Sequence, residues 1–308
     1  MSLLALYDLQ APAKLNLFLH VVGRRADGYH LLESLFILID WSDTLHLERR
    51  SDGLLQRHDL TETLPADDLC LRAARVLQTA SGTTLGADVS IAKHLPSGAG
   101  MGGGSSDAAT VLLGLNRLWG LNWPRQRLLP LAQSLGADVP FFVFGRPSFV
   151  QGIGEQMTPV ELEPQRFAVV KPHASIPTAS IFGSPMLRRD TASVILMGSI
   201  ESAANLATPE REATKIPAAC LAGGFGHNDL QLPAEAVCSE VREACSWLQA
   251  QFGNSRMTGS GSAVFSRVGS DELVSSTWPQ DGAPALPCGW VGRLCRSLPE
   301  HPLLGWAS

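Results

Sequence analysis

The chain has 308 residues, with 24 Lys+Arg against 29 Asp+Glu for a formal charge of −5, and is 45% hydrophobic and 17% charged. That excludes a disordered polymer, which is poor in apolar residues and high in net charge, and the mild acidity without any basic cluster argues against nucleic acid as a partner. At roughly 100–200 residues per domain, two domains are expected. Residues 3–7 form one short apolar stretch with no basic residue before it and Asp8 directly after it, so no signal peptide is read. The longest apolar stretches, such as residues 139–144, fall far short of the ~18 needed to cross a bilayer, so no membrane association is expected. Six cysteines, Cys70, Cys220, Cys238, Cys245, Cys288 and Cys295, contain no C-x-x-C pair; they read as buried, reduced thiols of a cytoplasmic protein, and their spacing argues against zinc. Nothing in the sequence speaks to an oligomeric state.

Along the chain, alternation starts at Lys14. Leu15, Leu17, Leu19 and Val21 fall on one face of a strand, and Lys14, Asn16, Phe18 and His20 on the other, which puts Lys14 and Asn16 about 7 Å apart on one side of a half-exposed strand. A polar turn, residues 23–30, ends in Tyr29-His30, a pair able to stack on a ring and hydrogen-bond its edge; it precedes the apolar run 35–39. Helical spacing follows over residues 69–79, then a strand over 89–92 leading to Lys93. A second helix runs from about 108 to 119, capped by Ser105, Ser106 or Asp107 and stopped by Gly120, and a third covers about 125–135 before Gly136. Residues 151–155 read as a turn between strands. Residues 168–170 open a second domain, Ser199 to Ala207 suggest a helix, 237–252 form an amphipathic helix, and the small-residue turn 258–262 feeds a strand over 263–265.

The most informative segment is Pro96-Ser97-Gly98-Ala99-Gly100-Met101-Gly102-Gly103-Gly104-Ser105-Ser106-Asp107, which opens onto the second helix. Unpaired N–H groups at a helix N-terminus attract anions, and glycines at positive φ let a phosphate approach the main chain. The P-loop pattern fails because Gly104 stands where its lysine belongs. A dinucleotide pattern is met by Gly98, Gly100 and Gly103, yet no acidic residue for a ribose occurs between Asp107 and Asp138. A glycine-rich turn without a ligand remains open on spacing alone.

The loop from Pro96 to Ser106 resembles the phosphate loop of the GHMP kinases. Five further segments extend the resemblance, in order: Ala11-Pro12-Ala13-Lys14-Leu15-Asn16-Leu17, Arg25-Ala26-Asp27-Gly28-Tyr29-His30, Gly136-Ala137-Asp138-Val139-Pro140-Phe141, Ser175-Ile176-Pro177-Thr178, and Thr258-Gly259-Ser260-Gly261. Together they are similar to the branch of that superfamily that acts on a cytidine-diphospho alcohol. The likeness spans about residues 11–265 and loosens beyond 266.

The resemblance implies an α+β fold of two domains, a ribosomal S5-like N-terminal domain over residues 1–160 that binds ATP and a C-terminal GHMP domain over 161–308, with the active site in the cleft between them. It implies ATP-dependent phosphorylation, with Mg²⁺, of the tertiary 2-hydroxyl of 4-diphosphocytidyl-2-C-methyl-D-erythritol in the non-mevalonate isoprenoid pathway. A homoserine- or mevalonate-type kinase, or a non-catalytic nucleotide-binding module, would keep the same loop. By the family match Asp138 is the base and Lys14 its cationic neighbour; for Asp138 a plain helix N-cap before Val139-Pro140 is the alternative. Pro96, Ser97, Gly98, Ala99, Gly100, Met101, Gly102, Gly103, Gly104, Ser105 and Ser106 would cradle the phosphates, with Lys93 and Asp68 at the adenosine. Asp68 stands where the family carries asparagine, and the segment 188–226 is longer than the family's. Asn16, Tyr29, His30, Thr178 and Phe182 would bind the acceptor, Tyr29 and Phe182 sandwiching the cytosine.

Overall fold

A computed structural model describes residues 3–193, 214–215, 226–269 and 285–307. The first strand is far longer than the alternation suggests: β1 (Ala5–Arg24) lies antiparallel to β2 (His30–Arg50), and Gly28, at φ 92°, turns the chain between them. β2 is long enough to serve several partners in turn. Its residues 44–50 pair with β4 (Gly86–Ala92), and residues 32–36 with β5 (Ser148–Gly152). β3 (Leu55–Asp59) runs parallel to β4, joined to it through α1 (Leu69–Ser81), the crossover that a parallel pair requires. β5 turns through residues 152–155 into β6 (Gln156–Glu161), as read from the sequence, and β8 (Thr214–Lys215) pairs parallel to β6.

The other half of the sheet is built on β7 (Arg166–Lys171), flanked by β10 (Val264–Val268) and β11 (Val291–Leu298), with β9 (Arg256–Met257) beyond β10. β11 also reaches β2, through Ser297↔Ile39 and Leu298↔Leu38, so a single sheet runs through both halves. α2 (Gly103–Leu118), α3 (Arg125–Leu135) and α4 (Val139–Phe144) pack with α1 over β1, β2 and β4 in one core, which Leu303 and Ala307 complete from the chain's end. A second core, around Leu19, Val170, Ile181 and Leu248, holds α5 (Thr178–Phe182), α6 (Gln231–Val237) and α7 (Ser239–Phe252).

Four expectations change. β1 is not half-exposed: Lys14, Asn16, Phe18 and His20 are as buried as the leucines opposite, because α2 and the second half cover the face that alternation assigns to solvent, and register slips between Asn16 and Leu19 break the simple alternation. Ser105, Ser106 and Asp107 do not cap α2; the helix begins two residues before Ser105, with Gly102 as its cap at φ 72°. The helix read over 237–252 breaks at Cys238, whose extended φ and ψ end α6 and start α7. Among the described cysteines, Cys70, Cys245 and Cys295 are buried free thiols, but Cys238 is half-buried and Cys288 exposed. The helix suggested for Ser199 to Ala207 lies outside the described residues.

Candidate active site

The glycine loop is held from two sides. The Lys14 amide donates to the Met101 carbonyl (2.9 Å), and Ser106 Oγ donates to the Pro12 carbonyl (2.7 Å), fixing the loop and α2 to β1. On the far side the turn 258–262 lies backbone to backbone on the loop: Ser262 N donates to Gly98 O and Ala263 N to Ala99 O. The contact is so close that a Cβ at Gly100, where φ is 78°, would sit 2.5 Å from the Thr258 carbonyl oxygen. Asn228 secures that turn by donating to the Met257 and Gly259 carbonyls. At Gly102 a Cβ would strike the Phe142 ring at 2.8 Å and approach Lys14 Cγ at 3.3 Å, so only glycine lets the loop turn into α2 there. Gly98, Gly100 and Gly102 carry the positive φ angles expected of such a loop; Gly103, already helical, does not.

Residues 96–104 line a cavity of about 270 Å³ together with Glu62, Asp68, Lys93 and Asp107. Ser105 and Ser106 do not line it, Ser106 being turned toward Pro12. Lys93 Nζ lies between Asp43 and Asp107, 2.6 Å from Asp107 Oδ2. Burial opposes the Lys93 charge, but Asp107 and Asp43 more than offset it and push its pKa up to about 12. Burial raises the Asp107 carboxyl well above the usual carboxylate range. Asp43 Oδ1 also accepts the amides of His94 and Leu95, so it organises the approach to the loop. Asp68 caps α1 by accepting from Leu71 N (3.1 Å) and pairs with Arg57 at 2.8 Å, so its carboxylate is held by two groups at the cavity wall.

Beside the loop, Lys14 Nζ donates to Asn16 Oδ1 (2.6 Å), lies 3.7 Å from Asp138 Oδ2, and sits 4.6 Å over the Phe36 ring. Burial lowers its pKa and the Asp138 charge opposes that fall. Asn16 is fully buried, donating to Ser34 Oγ as well as receiving Lys14, and Thr258 Oγ1 accepts its backbone amide. Asp138 occupies the N-cap position of α4, yet its side chain makes no capping bond; it turns to Lys14 and remains 36% exposed at the cleft. A carboxylate and an ammonium therefore converge next to a helix N-terminus, the three elements that phosphoryl transfer to an alcohol requires.

Farther along the cleft, the His30 ring lies 5.2 Å from Phe182 with 32° between planes, while Tyr29 stands 61% exposed to solvent. Thr178 Oγ1 and Ser260 Oγ lie 2.9 Å apart. The structure thus brings His30, rather than Tyr29, against Phe182. Sequence reading missed the roles of Asp43 and Arg189, polar residues whose partners His94, Leu95 and His30 lie across the fold, and it read Asp107 as a helix cap rather than as the partner of Lys93.

The arrangement is that of a small-molecule kinase that uses ATP. Residues 68–146 match the family model described as GHMP kinases N terminal domain, and residues 217–280 match GHMP kinases C terminal. A 4-diphosphocytidyl-2-C-methyl-D-erythritol kinase of Methylibium petroleiphilum is 57% identical over 100% of both chains, and one of Variovorax paradoxus 52% over 99% of both. A crystal structure of 4-(cytidine 5'-diphospho)-2C-methyl-D-erythritol kinase superposes with a TM-score of 0.72 at 32% identity, covering 94% of this chain and 98% of that one. The chain belongs to the 4-diphosphocytidyl-2-C-methyl-D-erythritol kinase family. Among the described residues no helix is long and apolar enough to cross a membrane.

Proposed function

We infer that the protein transfers the γ-phosphoryl group of ATP to the 2-hydroxyl of 4-diphosphocytidyl-2-C-methyl-D-erythritol, a step toward isoprenoid precursors by the methylerythritol phosphate route. The observation that carries this reading is the convergence of Lys14 and Asp138 beside the N-terminus of α2. In this reading the ATP phosphates bind along residues 96–104, where glycine backbone and the helix N-terminus supply positive potential. Asp138 aligns the acceptor hydroxyl and takes its proton as the O–P bond forms. Lys14 lies beside that carboxylate and attracts the transferring group, and Asn16 holds the Lys14 ammonium in place.

Mg²⁺ fits the site as an ion held chiefly by ATP. No group of three His, Cys, Asp or Glu able to hold a metal occurs among the described residues, whereas the partly exposed Asp138 carboxylate is an oxygen donor of the kind Mg²⁺ takes, beside ATP's own oxygens and water. When bound, the ion neutralises charge between the β- and γ-phosphates. His30, Phe182 and Tyr29 make the cytosine end, and Thr178 an acceptor contact. We assign residues 1–160 to the nucleotide half and 161–308 to the other. The cytoplasm, with its ATP and reducing conditions, suits the free buried thiols.

The test is ADP release with Mg²⁺ and ATP across a panel containing the cytidine-diphospho alcohol, homoserine and mevalonate. Turnover of the cytidine compound alone is expected; turnover of homoserine or mevalonate in its place would overturn the substrate and leave the kinase.

A further inference from the structure

Lys171, the last residue of β7, is buried, and its ammonium is bound by neutral oxygens. Nζ donates to the carbonyls of Pro172 (2.8 Å), Ala174 (2.9 Å) and His173 (3.2 Å) and lies 3.4 Å from Ser175 Oγ, so the chain that leaves β7 wraps around its own side chain. The Glu240 carboxylate accepts the Ala174 amide instead (3.1 Å). Among the described residues no backbone–backbone hydrogen bond closes residues 172–176, which leaves the ammonium as the centre to which the carbonyls of 172–174 turn. Two contacts carry this wrapped loop to the phosphate loop. Ser262 Oγ donates to the Ala174 carbonyl (2.6 Å) while its amide donates to Gly98 O, and Ser175 packs so closely on Gly98 that a Cβ there would lie 2.5 Å from Ser175 Oγ. In the other direction the chain runs through Pro177 into Thr178 of α5, whose Oγ1 meets Ser260 Oγ.

We propose that Lys171 is a positioning residue whose ammonium serves as a built-in monovalent cation, drawing residues 172–175 into a cage of oxygens that holds the phosphate loop and the start of α5 in register with each other. The proposal rests on ATP binding along residues 96–104. A lysine ammonium has three N–H donors and no acceptor, and a ring of backbone carbonyls is the setting that replaces the hydration shell of a potassium or ammonium ion. Carbonyl dipoles aimed at one point repel one another unless a cation sits among them. Without it they turn to water, and the loop loses the shape that presents Ala174 to Ser262 and Ser175 to Gly98. The contacts of Lys171 do not include Lys14 or Asp138, so its effect belongs to the binding of both substrates rather than to the transfer step.

A free cation should then be able to replace the side chain. In choline chloride, whose cation is too bulky for the cage, Lys171→Ala should raise KM for ATP and for the acceptor about tenfold each, the loss of one charged hydrogen-bonding group, with kcat within about twofold of wild type. A protein that is merely less folded would lose kcat and keep its KM values. Exchanging choline for ammonium or potassium at constant chloride should bring both KM values back toward those of the wild type in the same salts, and lithium, too small to reach all four oxygens, should not. Lys171→Met, which refills the space without the charge, should carry the same defect and stay insensitive to every cation. Melting temperatures of the ligand-free, full-length proteins read the cage without reference to any substrate: Lys171→Ala should gain more than the wild type from ammonium or potassium over choline. A Lys171→Ala protein that no cation restores in either measurement, folded or not, overturns the proposal, as does a Lys171→Met enzyme with wild-type KM values. Cation-dependent melting with both KM values unmoved overturns the link to the phosphate loop and α5. A wild-type enzyme that ignores the cytidine acceptor fails the substrate reading alone, because calorimetric ATP affinity and the melting temperatures still decide on Lys171.

Discussion

Replacing Asp138 by Asn separates chemistry from folding, because the geometry makes the two costs unequal. The carboxylate lies 3.7 Å from Lys14 Nζ without a hydrogen bond of capping kind, and its side chain is 36% exposed. At an effective dielectric of ~20 the bare attraction is about 4 kcal/mol. Solvent screening at such exposure brings the net contribution to stability down to about 1 kcal/mol. For a chain this long the melting temperature should move by only a few degrees, by the rule of ~2–4 °C per kcal/mol. The rate should fall far more, by ~10²–10⁴, since the amide cannot accept the hydroxyl proton; that is about 3–5 kcal/mol of barrier. A second signature comes from Lys14. Burial lowers its pKa and Asp138 opposes the fall, so removing the carboxylate leaves burial unopposed. The ammonium is lost as pH rises through that pKa, so the alkaline decline of any residual activity should move to lower pH. Calorimetric ATP titration, coupled ADP-release kinetics and a pH profile measure the three effects. A variant with near-normal kcat and an unmoved alkaline limb would refute the assignment of Asp138 as base and of Lys14 as its partner.

Gly102→Ala should destabilise the protein by about 1–3 kcal/mol in denaturant unfolding, because it forces a side chain into φ 72° and against the Phe142 ring. Gly103→Val meets no contact closer than 3.4 Å at its Cβ and should fold, yet raise KM for ATP by obstructing the phosphates. Phe182→Ala and Tyr29→Ala should each raise acceptor KM about 5- to 150-fold with KM for ATP unchanged, using ~1–3 kcal/mol per stacked base by analogy with nucleic-acid sites; only Phe182→Ala should also lower the melting temperature, since Tyr29 is exposed and Phe182 packs on the second core. Burial, and then the His227 ring, lower the His20 pKa to about 4, and burial with Arg125 lowers that of His301 to about 3. The unfolded chain therefore takes up these protons first, and stability should fall as pH drops from ~6.5 toward 4, by roughly 2 kcal/mol for each group at pH 4.5. Urea unfolding at pH 7 and 4.5 checks this, and His20→Phe should flatten the dependence.

What the sequence made legible was mostly local. α1 follows from helical spacing, α3 from its position before Gly136, the turn at 152–155 from its glycines, and the phosphate loop from its density of glycine opening onto a helix. The helix start at Gly103 was not legible, because Ser105, Ser106 and Asp107 are ordinary caps by composition, and only the contact with Pro12 and Lys93 draws Ser106 and Asp107 into the helix interior. The burial of β1 depends on the turn 258–262 and on Asn228, more than 200 residues away, which no period of two can report. Lys14 and Asp138 were each marked by motif and the family resemblance implied their meeting, whereas the residue pattern by itself left Asp138 free to cap α4. Arg189 lay beyond reach for the opposite reason: its segment carries no period at all, and its role exists only through partners in β2 and α5.

The backbone stitch between the turn 258–262 and residues 98–100 has a mechanical meaning. Gly100 and Gly261 approach so closely that a Cβ on Gly261 would lie 2.1 Å from the Gly100 nitrogen, and the amides of Ser262 and Ala263 close the joint. The walls of the cradle all come from residues 62–107, but the loop that forms its floor is pinned from behind by the other half of the molecule. Pulling the halves apart would remove that pin and free residues 98–100 of the loop. By the same token a ligand that needs the loop in this shape favours the closed joint, and its binding energy is felt as resistance to unfolding on both sides of that joint.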